Sequence, residues 1–153
     1  MKNIEKYILE SYIANLIGLP LAYIQKIQGT ELYGFGFGKV KAGIVTDYTL
    51  HVLCPLGLAC LRPERKKVFI DFETPLEEFR AAFYPLISKK VCHARITPSN
   101  DLRIHFGSAW ITTLASYDPP GDYEAWRLFQ PNSPNLHLVA RQISPGQLSI
   151  EFE

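Results

Sequence analysis

Between Asn100 and Phe129, the stretch Leu102-Arg103-Ile104-His105-Phe106-Gly107 makes every second residue apolar, and Tyr123-Glu124-Ala125-Trp126-Arg127-Leu128-Phe129 is strand-like, with Pro119-Pro120-Gly121 between them. A period of two lets a chain bury one face and wet the other, the pattern of a half-buried antiparallel strand. Similar segments run Val91 to Ile96, Ala109 to Ser116, Leu136 to Gln142 and Leu148 to Phe152, so the second half reads as mostly antiparallel β.

The first half mixes periods. Ile4, Ile8, Tyr12 and Leu16 stand at helical spacing, predicting an amphipathic helix over Asn3 to Ile17 that Gly18 and Pro20 terminate. Leu21 to Ile27 and Leu32 to Val40 flank the short connection Gln28-Gly29-Thr30-Glu31, which predicts a hairpin. Tyr48 to Leu61 is apolar but interrupted by Pro55 and Gly57, so it bends. The cluster Arg62 to Lys67 reads as a solvated turn before Val68-Phe69-Ile70. In Thr74-Pro75-Leu76-Glu77, Thr at N-cap, Pro at the first helical position and Glu at the third predict a helix reaching Ile87. Its stripe of Leu76, Phe79, Phe83 and Leu86 would cover a sheet.

The halves are alike in outline. Ala22 to Ile27, a polar turn and Leu32 to Gly38 parallel Cys92 to Ile96, a polar turn and Leu102 to Gly107, consistent with duplication of a hairpin unit. The expected fold class is therefore α+β: antiparallel sheets, two related β-units, packed against two helices in a single domain over residues 1–153.

Composition excludes some functions. Sixteen basic and fifteen acidic residues give a net charge of +1, so no whole-molecule field gathers nucleic acid or an anionic membrane. Three cysteines, Cys54, Cys60 and Cys92, are an odd number without dense spacing, which fits reduced, partly buried thiols. The N-terminal apolar stretch is interrupted by Glu10 and Asn15, so neither an export signal nor a membrane span is read and a cytoplasmic location is expected.

Several groups bear chemistry, each with a plainer explanation. Gly34-Phe35-Gly36-Phe37-Gly38-Lys39 lacks the spacing of a phosphate loop; its glycines fall on one strand face, where the N-terminal helix is expected to pack, and Tyr33, Phe35 and Phe37 on the other. His51, Cys54, Cys60, Cys92 and His93 lack the paired spacing of a closed zinc site, so no metal and no cofactor is expected. A cysteine nucleophile with His93 or His105 as base, and a carboxylate pair among Asp118, Asp122 and Glu124, are weaker readings than a solvated surface. No catalytic residue is assigned.

The pattern of Asn100 to Gly107 followed by Tyr123-Glu124-Ala125-Trp126 resembles the C-terminal half of a family of small uncharacterised bacterial proteins, similar to the immunity proteins of polymorphic or contact-dependent toxin systems. Ser144-Pro145-Gly146-Gln147 stands where that pattern often has a Gly-Gly pair. The resemblance implies a non-enzymatic binding protein that neutralises a cognate toxin by direct contact. Aromatic and Arg anchors dominate such interfaces; Trp110, Tyr117, Tyr123, Trp126 and Arg127 are available in the second half, and Arg103, His105, Tyr117, Tyr123, Trp126 and Arg127 are nominated, with core packing the competing reading for the tryptophans. Near-neutral charge argues against a cationic nuclease as the partner. A homodimer stays open, and the alternatives are a small-ligand-binding regulatory domain, with the Tyr33-Phe35-Phe37 face lining a pocket, or a small hydrolase.

Overall fold

The computed structural model describes residues 5–27, 30, 32–41, 44–45, 47–61, 65–115, 123–133, 136–144 and 147–153. Helix α1 (Lys6–Ala14) leads into β1 (Leu21–Lys26), β2 (Tyr33–Phe37), a small ribbon β3 (Val40–Lys41) and β4 (Ile44–Val45), then β5 (Tyr48–Val52), β6 (Leu56–Cys60) and β7 (Lys66–Ile70). Helix α2 (Leu76–Phe83) and a 3-10 turn (Tyr84–Leu86) lead into β8 (His93–Ile96), β9 (Leu102–His105), β10 (Ala109–Thr113), β11 (Tyr123–Phe129), β12 (His137–Ser144) and β13 (Gln147–Phe152). The fold is α+β, with two helices and two large antiparallel sheets, ordered β1-β2-β5-β11-β12-β13 and β7-β6-β10-β9-β8. Among the described residues no helix is long and apolar enough to cross a membrane.

Each half contributes to both sheets. The chain passes from one sheet to the other at Leu53 to Pro55 and returns between β10 and β11. Replacing β1, β2, β5, β6 and β7 by β8, β9, β10, β11 and β12, and the reverse, reproduces every strand neighbour of both sheets, leaving β13 as the unmatched addition. The correspondence extends to single hydrogen bonds: Leu53 N–H donates to the Ala125 carbonyl and Leu114 N–H to the Pro55 carbonyl, both at 2.8 Å.

The two segments that follow the helices meet each other at an isolated antiparallel bridge between Pro20 and Lys90. Gly18 N–H donates to the Val91 carbonyl at 2.8 Å and its counterpart Ser88 N–H to Leu21 at 2.7 Å; Leu21 N–H to Lys89 and Val91 N–H to Leu19 are both 2.9 Å. Gly18 (φ 89) and Ser88 (φ 74) share the left-handed conformation that ends a helix. Phe37 and Phe106, also counterparts, stack with centroids 6.4 Å apart, and each is followed by a left-handed glycine, Gly38 or Gly107. Helix α1 packs against β8 and α2 against β1, so each helix serves the other unit's first strand.

Three expectations are corrected. Helix α1 does not cover the glycines of β2: a Cβ at Gly34 would meet Gln25 and His51, side chains of the flanking strands, while Tyr12 of α1 makes edge contacts with Tyr48 and Phe152. Thr74 does not cap α2, because its hydroxyl is held by Asp71, accepting from that residue's amide at 3.0 Å and donating to its carboxylate at 3.2 Å. Cys54 is buried, but Cys92 is exposed, its thiol donating to the His105 carbonyl at 3.4 Å. The stripe on α2 behaves as predicted, with Phe79 and Phe83 closing over Tyr33 and Phe35.

The paired helix ends give a test. Gly18→Ala forces a side chain into left-handed backbone and should cost about 1 kcal/mol, whereas Ser88→Gly relieves the same penalty and should gain up to about 1 kcal/mol in urea denaturation. Opposite signs are expected; a destabilising Ser88→Gly would contradict the equivalence.

Candidate functional site

The outward face of the five-stranded sheet is a grid of two rows, because cross-strand partners share a face. One row runs His93, His105, Trp110, Ala59, Lys67; the other runs Arg95, Arg103, Thr112, Gly57, Phe69. Ala59 and Gly57 lower the middle of the sheet, and Phe69 and Trp110 rise beside them. They line a groove of about 560 Å³ that also includes Lys67, Arg103, Thr112 and Leu114. Phe69 is 48% exposed.

Five of the ten grid side chains are Lys, Arg or His, and none is a carboxylate. Arg103 is fixed by a 3.0 Å bond from its Nε to Thr112 Oγ1. Its pKa is lowered by burial and then by Arg95. His105 stacks on Trp110 at 5.7 Å and lies 5.6 Å from the ring of His93. Burial, followed by His93, Arg103 and Arg95, holds its pKa below the ordinary imidazole value. Its Nε2 is buried with no hydrogen-bond partner among the described residues. Among the described residues no carboxylate is paired with Arg95, Arg103 or Lys67, and an anionic group placed there relieves their mutual repulsion.

The matching grid on the six-stranded sheet is finished differently. Its rows run Tyr23, Gly36, Thr49, Phe129, His137 and Gln25, Gly34, His51, Arg127, Val139, with β13 adding Glu151 opposite Val139 and Glu153 beside His137. Arg127 bonds Glu124 at 2.6 Å, Glu153 at 3.0 Å and His137 Nδ1 at 2.6 Å, and Arg141 bonds Glu153 at 2.6 Å. This face neutralises itself.

The nominated residues therefore separate. Arg103 and His105 stand together on the uncompensated grid. Arg127 lies on the other sheet inside the ion network. Trp126 is 0% exposed and its indole N–H donates to the Asn100 carbonyl at 3.3 Å, so its nomination as a surface anchor is corrected to core. Tyr123 is half-buried, with its hydroxyl 3.5 Å from the Ala115 carbonyl. Tyr117 lies outside the described residues, as do Asp118 and Asp122, while Glu124 is bound by Arg127. Tyr33, Phe35 and Phe37 are at most 1% exposed, packed in the core rather than lining a pocket. Trp110 was among the available anchors but was not nominated, and the nominations omitted Arg95, His93, Lys67 and Phe69. Alternation in Ala109-Trp110-Ile111-Thr112 and His93-Ala94-Arg95-Ile96 carried that signal.

A neutral His105 is favoured in the fold, so its contribution to stability is present above the unfolded imidazole value and is lost as pH falls through that region. His93→Gln removes the second-largest cause of the depression. It should raise the His105 midpoint in an NMR titration, and an unmoved midpoint would contradict the electrostatic description of the face.

Comparison with protein families, with curated proteins and with solved structures gives no match, and the chemistry assigned to the site rests on its own residues.

Proposed function

We propose that the protein is a non-enzymatic binding protein that holds an acidic protein partner against the outward face of the five-stranded sheet, and that this partner is a toxin it neutralises. The observation that carries the reading is the grid itself: Arg95, Arg103, Lys67, His93 and His105 surround Trp110 and Phe69 with no carboxylate among them, whereas the equivalent face on the other sheet is internally paired. A rigid aromatic and Arg centre is the composition that gives protein interfaces most of their energy. An acidic partner also fits the argument against a cationic nuclease. The toxin assignment comes from the family resemblance, and the grid supplies the surface such a protein needs.

Co-expression with the product of the neighbouring reading frame tests this. The wild-type chain should suppress that product's toxicity and bind it in stoichiometric amount. Trp110→Ala should weaken binding about 30-fold, the ~2 kcal/mol of an interface anchor, and Arg103→Glu at least as much, with the fold retained by circular dichroism. Glu78→Ala, on the exposed side of α2, should leave affinity unchanged. Full suppression by a chain carrying both Trp110→Ala and Arg103→Glu would contradict the proposal.

A further inference from the structure

The internal correspondence shows what the five-stranded sheet lacks. β12 is covered by β13, but β7, the counterpart of β12, has no strand on its outer side among the described residues. From this we infer that β7 is a docking edge that takes an extended segment of the protein partner as a sixth strand, with apolar residues alternating with carboxylates. The inference deepens the binding reading above and rests on it for the identity of the partner.

β13 supplies the pattern of the occupant. On β12 it sets Phe152 opposite Leu138, Glu151 opposite Val139 and Ile150 opposite Ala140, and Glu153 exchanges backbone hydrogen bonds with His137 at 2.8 and 2.9 Å. The β7 counterparts of His137, Leu138, Val139 and Ala140 are Lys67, Val68, Phe69 and Ile70, through the matching registers on β6 and β11. A strand in that register places apolar side chains opposite Val68 and Ile70, and carboxylates on the outward side opposite Lys67 and Phe69. There they extend the grid beside Lys67, the cation of the adjoining strand. Phe72, just past the end of β7, is 51% exposed, so apolar surface continues past the strand.

Charge also selects among occupants. Lys66 and Lys67 stand on this edge, and lysine on an edge is a common device against self-pairing. An acidic segment turns the same residues into attraction. The edge strands β1 and β8 differ, each having a helix packed against it.

The probe is the heptapeptide Gln-Leu-Ser-Ile-Glu-Phe-Glu, the chain's own sequence from Gln147 to Glu153, titrated to millimolar concentration into the full isotope-labelled protein. Saturable NMR shifts and slowed amide exchange at residues 66–70 are expected. A peptide with Lys in place of both Glu residues, or a chain carrying Lys66→Glu and Lys67→Glu, should bind at least about tenfold more weakly. No response at β7, a response centred on another edge, or equal binding of the Lys peptide would overturn the inference. The binding reading fails separately. An inert β7 edge together with Trp110-dependent suppression of toxicity would remove the sixth strand and leave the interface standing.

Discussion

Neither half of this chain closes a sheet by itself, and that constraint organises the rest. The meander β1-β2-β5 finishes against β11 from the second half, and β8-β9-β10 finishes against β6 from the first. A unit of this kind exposes apolar surface until its counterpart covers it, so stability comes from the junction between units. Pro20 and Lys90 sit at the centre of that junction, the stacked rings of Phe37 and Phe106 bring the counterpart strands β2 and β9 into contact, and the left-handed turns at Gly18 and Ser88 aim both chains into it.

A repeated frame makes departures from repetition informative. At matched positions Gly34 and Gly36 of one sheet become Arg103 and His105 of the other, while Arg127 and Phe129 become Gly57 and Ala59. The bulky and bare positions are exchanged, moving the low ground from beneath one hairpin to the middle of the opposite sheet. The extra strand falls on one sheet only, and with it Glu151 and Glu153. One face is thereby closed by its own ion pairs, and the other, among the described residues, sets cations around an aromatic centre with no ion pair.

Much of this was legible in the sequence because a period of two is a local signal. Tyr123 to Phe129 was read with the bounds of β11, and the parallel between Leu32 to Gly38 and Leu102 to Gly107 matches the correspondence of β2 with β9. The bend at Pro55 and Gly57 was also visible, but not that it carries the chain into a second sheet, since strand partners are set by contacts far apart in sequence. Trp126 misled because β11 has an irregularity between Glu124 and Trp126, which buries Ala125 and Trp126 in succession and breaks the alternation. Trp110, in an unbroken stretch, obeys it. Arg127 does face outward as its period requires; Glu124 and Glu153 together neutralise it, and no local pattern places Glu153 beside it.

The central claim is that the outward face of the five-stranded sheet receives an acidic protein, and hydrogen exchange on the isolated complex with the neighbouring gene product tests it most directly. Relative to the free chain, protection should rise in Lys66–Ile70, Leu102–His105 and Ala109–Thr113, with Glu124 to Phe129 and Gln147–Phe152 unchanged. Protection confined to β11 and β13 would place the partner on the self-neutralised face and contradict the account.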